Sequence, residues 1–269
     1  MSEPDLPLRH EQQIELLQGS GQFFPALIET IDRALIEVRL ETYIFDFSGT
    51  SVGVAQALVR AARRGVTVQL VADGAGTGTF PTEWRERFDL AGVQWRIYAP
   101  LGPLGYLVPS RWRRLHRKLC VVDGETAFCG GINILDDLHD PNYGTLESPR
   151  LDFTVRAYGA LAQQVRDTMA QLWWRLQAAR DTREHHFPAA LSSLRTATGY
   201  RRASHTANKD REGDIHFAQT MLLLRDNLLH RSRIERAYRR AIGQARHEII
   251  IANAYFVPGH KLRKALMMA

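Results

Sequence analysis

One short run of the chain holds the residue types suited to chemistry at a phosphate ester: His116, Lys118, Asp123, Gly130-Gly131 and Asn133. In an extended backbone, residues two apart share a face. His116 and Lys118 therefore project together, followed by Cys120. Arg117, Leu119 and Val121 point the other way, the two aliphatic ones toward a core. A neutral imidazole beside a fixed ammonium suits attack on a phosphodiester. The imidazole serves as nucleophile or proton donor. The ammonium holds the non-bridging oxygens and offsets transition-state charge. The paired glycines let backbone approach a ligand closely, and Asn133 can donate to a phosphate oxygen. Asp152, opening the next strand, is placed to accept from the His116 imidazole and fix its tautomer. Each feature alone has a plain structural explanation: a strand-start histidine, a solvated lysine, an Asp-Gly turn, a bend. The joint spacing within the 18 residues from His116 to Asn133 is what points to chemistry.

The elements that must position this run alternate. Ile14–Leu17 reads as a strand, Phe23–Val38 as a helix with apolar Leu27, Ile31, Ala34 and Leu35, and Leu40–Phe45 as a strand. Val54–Arg64 is helical and closed by Gly65, Val66–Ala72 is a buried strand, Glu83–Ala91 a helix, and Val93–Tyr98 a strand. Lys118–Val122 and Thr126–Cys129 form a hairpin about Asp123-Gly124. A turn at Gly124-Glu125 would instead set Cys120 opposite Cys129. Asp152–Arg156 is a further strand, and Leu161–Arg180 an amphipathic helix with Trp173 and Trp174 in the core. The fold class is α/β, a mixed sheet flanked by helices.

Residues 181–214 lose periodicity and read as a linker or mobile loop. Helix Ile234–Arg246, strand Glu248–Val257 and the start of a helix at His260 follow. These repeat the beginning of the chain: Ile28–Ala34 matches Ile234–Arg240, Ile44-Phe45 matches Tyr255-Phe256, and Ala55–Ala61 matches Arg263–Ala269. The expected organisation is a complete first half over 1–180, a linker over 181–214, and a second half only begun over 215–269. By the repeat spacing, a counterpart of His116 would fall at about position 324.

Composition sets broad limits. Hydrophobic residues make up 45% of 269 residues and charged residues 24%, which excludes a disordered chain. A net charge of +6 favours anionic partners: phosphate groups, nucleic acid or an acidic membrane surface. Two cysteines make no disulfide framework, and free thiols are expected. No secretory signal is read at the start, and the apolar stretch Ile249–Val257 is too short to span a bilayer. A cytoplasmic chain that touches a membrane without crossing it is expected.

The run from His116 to Asn133 resembles the signature of the phospholipase D superfamily: His, any residue, Lys, four residues, Asp, then a Gly-rich turn and Asn. Leu40–Phe45, Arg64–Val66, Asp73-Gly74 and Ile249–Phe256 are similar to the bacterial cardiolipin synthases of that superfamily, of the short type without N-terminal membrane helices. The resemblance implies a phosphatidyltransferase that joins two phosphatidylglycerols into cardiolipin and glycerol through a phosphatidyl-histidine intermediate. It implies His116, Lys118 and Asp123 as the catalytic motif, with Asp123 completing it structurally. It implies Lys118, Gly131 and Asn133 as phosphate-binding and Asp152 as histidine-orienting, with no metal and no cofactor. The expected partners are phosphatidylglycerol or another anionic phospholipid, at the inner face of the cell membrane. The family pairs two histidine motifs at an interface between halves, and this sequence carries one. A truncated chain with impaired activity is the first expectation. The alternatives are a homodimeric nuclease or phosphodiesterase acting on nucleic acid, and an inactive remnant. Arg111, Arg113 and Arg114 with Trp112 form a possible basic-aromatic edge for lipid headgroups.

Overall fold

The computed structural model describes residues 14–100, 114–140, 144–212, 222–223, 232–253 and 256–269. Strand β1 (Ile14–Gln18) leads into α1 (Gly19–Asp32), β2 (Glu37–Thr42), α2 (Val52–Arg63), β3 (Thr67–Asp73), α3 (Thr82–Ala91) and β4 (Gln94–Tyr98). Then come β5 (Leu119–Val122), β6 (Thr126–Gly130), the short β7 (His139–Asp140) and β8 (Gly144–Thr145), and β9 (Phe153–Tyr158). The helices α4 (Ala160–Arg183), α5 (Phe187–Glu212), α6 (Arg233–Gln244) and α7 (His260–Met268) complete the described elements.

Seven strands form one mixed sheet in the order β1-β9-β6-β5-β2-β3-β4. β2, β3 and β4 run parallel, and the remaining pairings are antiparallel. All six residues of β2 are buried because both of its faces are covered. Val38 and Leu40 join the large core with Leu27 and Ile31 of α1, Leu58 of α2 and Phe88 of α3. Glu37, Arg39 and Glu41 project to the α4 face. There Arg39 Nε donates to Glu37 Oε2 at 2.8 Å, and Arg166 of α4 donates to Glu37 Oε1. Trp173 of α4 packs on Val71 and Leu115, so this tryptophan belongs to the core as expected.

Helix α1 ends at Asp32, earlier than its periodicity indicates, and β2 begins at Glu37. The cause lies 88 residues away. Asp123 Oδ2 accepts from the backbone N–H of Leu35 at 2.9 Å. Its Oδ1 accepts from Ile36 at 2.8 Å and Glu37 at 2.9 Å. Three N–H groups that would have continued the helix are captured by one carboxylate, and Leu35 and Ile36 are exposed. Asp123 sits at φ 53°, in the left-handed region that Asp and Asn tolerate. Asp123→Ala is expected to lower stability by about 2–3 kcal/mol in urea denaturation, from the lost charge-assisted hydrogen bonds. The Asn variant, keeping one acceptor oxygen and the turn preference, should lose less than half of that.

Three residues, 123–125, separate the paired Val122 and Thr126. Cys120 therefore faces Phe128 across the hairpin, and Cys129 faces Leu119. Both cysteines are free, Cys120 buried and Cys129 exposed.

Two sequence expectations meet a different structure. Within 181–214, residues 187–212 are a helix, α5, packed along α4, where loop was expected. Its buried positions include Ala190, Ser193 and Ala197, and Ser193 Oγ donates to Asp181 of α4 at 3.1 Å. Such small residues allow close helix packing while giving almost no hydrophobic periodicity. Second, residues 248–253 and 256–257 are not a strand. A strand needs a neighbouring strand for its N–H and C=O groups, and no strand pairs with this segment among the described residues. Ile250 is 80% exposed. The chain divides into two compact units, Met1–Thr220 and Met221–Ala269, so α5 belongs with the sheet. Among the described residues no helix is long and apolar enough to cross a membrane.

Candidate active site

Because β2, β3 and β4 are parallel, their C-terminal ends share one edge of the sheet, where open α/β folds place ligands. β5 runs antiparallel beside β2 and enters the sheet at the same edge, Leu119 opposite Glu41. The loops after β2, β3 and β6, and the segments before β5 and β9, converge there. His116 and Lys118 stand in the segment just before β5.

Lys118 Nζ lies 3.3 Å from His116 Nδ1 and 3.4 Å from Nε2. The Tyr43 ring flanks both: its centroid is 5.1 Å from the imidazole and 5.5 Å from Lys118 Nζ. Partial burial and the neighbouring ammonium hold the His116 imidazolium below its ordinary pKa, against a smaller opposing pull from Asp73. At neutral pH the ring is therefore neutral and able to attack phosphorus or accept a proton. Burial pushes Lys118 down to about 8, partly offset by the charge of Asp152. The pair is a cation next to an imidazole kept free of its proton.

Asp73, which the sequence offers as part of the family resemblance and not as a site residue, has a structural task here. It is fully buried at the end of β3. Its Oδ2 accepts from Leu115 N at 2.6 Å, and its Oδ1 from Ala75 N at 2.8 Å and Gly76 N at 3.3 Å. One carboxylate thus joins the β3 loop to the residue preceding His116. Arg114 turns inward, its Nη1 3.9 Å from Asp73 Oδ1 and donating to Ala99 O at 3.3 Å. Arg111, Trp112 and Arg113 lie outside the described residues.

An open cleft of about 360 Å³ lies beside Tyr43, the ring that flanks the pair, and is lined also by Gly76, Asn133, Arg150 and Asp152. Asn133 Oδ1 accepts from Ile44 N at 3.1 Å, which leaves the amide N–H₂ for a ligand. Asp46 N donates to Ile134 O at 2.7 Å and Ile134 N to Ile44 O at 3.1 Å, tying the loop after β2 to that after β6. Gly131 is required by crowding: a Cβ there would run into the Asp152 carboxylate. The glycine pair serves close packing on the start of β9 as well as openness to a ligand.

Asp152 does not hold the imidazole. Its Oδ1 accepts from Phe153 N at 2.7 Å, its carbonyl accepts from Gly19 N at 2.9 Å, and its charge acts on Lys118. Among the described residues, neither ring nitrogen of His116 meets a carboxylate. Asp123 is seven residues beyond His116, roughly 20 Å along an extended strand, at the other end of the sheet. The structure thus brings His116, Lys118, Asn133, Gly131 and Asp152 to one edge and leaves Asp123 out. Tyr43 and Asp73 join them, and the signal for both was their place at the C-terminal ends of parallel strands. Among the described residues no group of three or more His, Cys, Asp or Glu side chains could hold a metal ion.

The α/β sheet thus presents a histidine–lysine pair, just before the antiparallel β5, at the edge where its parallel strands end. Residues 27–173 match the family model described as cardiolipin synthase, phospholipase D-like domain. The chain is 33% identical over 261 residues to cardiolipin synthase B of Escherichia coli K12, covering 97% of this chain and 58% of that protein. The Salmonella typhimurium cardiolipin synthase B is 34% identical over the same shares. This chain belongs to the phospholipase D-like cardiolipin synthase family, and it spans 58% of the length of these curated relatives. Among solved structures, Nuc of Salmonella typhimurium, a phospholipase D family member, aligns with TM-score 0.44 and 20% identity over 61% of this chain and 95% of its own.

Proposed function

We propose that His116 and Lys118 form one half of a phosphatidyl-transfer site acting on phosphatidylglycerol. The observation that carries this reading is the Lys118 ammonium within 3.4 Å of both nitrogens of a pKa-lowered imidazole, in a chain of this family. Lys118 and the Asn133 amide receive the phosphodiester oxygens. One histidine attacks phosphorus, and the bond to the headgroup glycerol breaks as that oxygen takes a proton. A hydroxyl of a second phosphatidylglycerol then attacks phosphorus and displaces the histidine, giving cardiolipin. Both steps call for a second histidine as acid and base. His116 is the single His-x-Lys in these 269 residues, so the partner histidine comes from a second half or a second copy of the chain. Asp123 enters this reading as the residue that fixes the start of β2, and Asp152 as the group that tunes Lys118. Vesicles of phosphatidylglycerol are the working surface, with the protein peripheral at the inner face of the cell membrane.

The test is to incubate the purified chain with phosphatidylglycerol vesicles and, separately, with single-stranded and duplex DNA. Cardiolipin and glycerol from the first, with DNA intact, are the expected result. DNA cleavage without lipid turnover would replace this reading with a nuclease.

A further inference from the structure

The segment that carries the catalytic pair joins the sheet at Lys118, whose carbonyl accepts from Gly130 N at 3.2 Å. Residues 114–118 lie outside β5, whose ladder to β2 begins at Leu119. Asp73 fixes its front at Leu115. Between His116 and Lys118 stands Arg117, which strand alternation turns to the α4 face. There its Nη2 lies 2.9 Å from Glu41 Oε2. Glu41 is 2% exposed, in a small pocket with Arg39, Met169 and Trp173. The Arg117 side chain remains one-third exposed. Glu41 Oε2 accepts no hydrogen bond among the described residues, so its contact with Arg117 is an ion pair without hydrogen-bond geometry.

Resting on the phosphatidyl-transfer reading, we infer that Glu41 is a positioning residue, which acts through Arg117 to hold His116 and Lys118 on the face beside Tyr43. Side chains in an extended segment alternate, so pinning the middle one to the α4 face fixes the peptide planes on both sides of it. His116 and Lys118 are then committed to the opposite face, beside Tyr43. Without the pair, the segment is held at Leu115 and at the Lys118 carbonyl, and the peptides of His116 and Arg117 are free to twist between them.

The energetics favour this role over a structural one. Burial raises the Glu41 carboxyl to about 7, with Arg117 and then Arg39 opposing it. A folded-state pKa above the ordinary value means a stability contribution that is present in acid and lost as pH rises through about 7. At pH 8 the ionised Glu41 thus weakens the fold. A buried charge that lowers stability and sits behind a reactive pair is the pattern of a functional constraint.

The test uses Glu41→Gln, Arg117→Gln and the double variant of the full chain at pH 8. Three readouts apply: thermal midpoint, the NMR signals of the His116 ring, and lipid turnover. Positioning requires a midpoint within about 3 °C of the parent or above it in Glu41→Gln and in the double variant, since neither keeps a buried charge and Arg117 can turn to water, whereas Arg117→Gln strands the Glu41 charge and falls lower. It also requires a broadened or shifted His116 signal in each variant, with kcat falling about 10-fold and KM by less. In signal and turnover the double variant should match either single one, because both remove the same pair. An unchanged His116 signal would overturn the inference. So would a collapse of the midpoint in Glu41→Gln, which leaves no buried charge unpaired, because that would show a structural pair. The NMR readout needs no turnover. If the parent chain makes no cardiolipin, the transfer reading fails while the positioning of His116 is still decided.

Discussion

His116→Asn should abolish phosphatidyl transfer, lowering cardiolipin formation by at least about 10³-fold while leaving the thermal midpoint unchanged. The imidazole is exposed at the sheet edge and its ring contacts are to Lys118 and Tyr43, so the fold does not depend on it. Asparagine preserves a polar planar group but can neither attack phosphorus at a useful rate nor shuttle a proton. Whether His116 serves as nucleophile or as acid, the step it performs has no substitute in this half of the site. Steady-state assays of cardiolipin and glycerol, with circular dichroism as the control, check the result. A variant that retains more than a tenth of the parent rate would mean that the chemistry resides elsewhere.

Lys118 carries the second large effect, and it is visible in the pH profile. With the ammonium held at about 8, the free protein loses its phosphate-binding charge as pH rises through that value. The bound phosphodiester favours the ammonium, so in the complex the loss moves to higher pH. KM should therefore climb above pH 8 before kcat declines. On the acid side, His116 titrates below its ordinary 6.5, and activity should fall only in that more acidic range as the ring takes a proton. Lys118→Met removes the upper limb of kcat/KM and lowers it by about 10²-fold to 10³-fold, the usual size for one lost charge-stabilising contact. Lys118→Arg keeps a charge that does not titrate near 8, so its profile should stay flat there even if the rate falls. A profile identical to the parent's in Lys118→Met would remove this residue from the site.

The sequence made parts of this arrangement legible for definite physical reasons. Strand alternation from His116 to Val121 depends only on backbone geometry, and the structure keeps it: Leu115 and Arg117 on the α4 side, Cys120 and Val122 in the core with α1 and α2. The βα alternation up to Tyr98 follows from hydrophobic periods that tertiary contacts reinforce. What was hidden depends on long-range contact. Asp123 ends α1 from 88 residues away, so the apolar spacing of Leu35 falsely extended that helix. Asp73 looks like half of an Asp-Gly turn until the segment at Leu115 is folded onto it. Helix α5 hides behind alanine and serine, whose burial against α4 has little hydrophobic signature. Residues 248–253 show the converse, since their β-branched run has strand propensity and no partner strand among the described residues.

The same edge of the sheet explains why a carboxylate expected to orient the histidine acts on the lysine instead. Asp152 opens β9, two strands from β5, and its Oδ1 is taken by its neighbour's N–H. Its remaining charge raises the Lys118 pKa and so keeps a fraction of the ammonium near neutral pH that burial alone would remove. The histidine is instead aimed through its backbone, by Asp73 in front and by the Arg117–Glu41 pair beside it.

The most direct measurement is headgroup release. Phosphatidylglycerol labelled in its terminal glycerol is mixed in vesicles with rising concentrations of the purified chain, and glycerol and cardiolipin are counted together. Transfer at a site completed by a second copy gives one glycerol per cardiolipin, a rate that rises faster than protein concentration, and no product with His116→Asn. Absence of cardiolipin at every concentration, or cardiolipin that persists in His116→Asn, would contradict it.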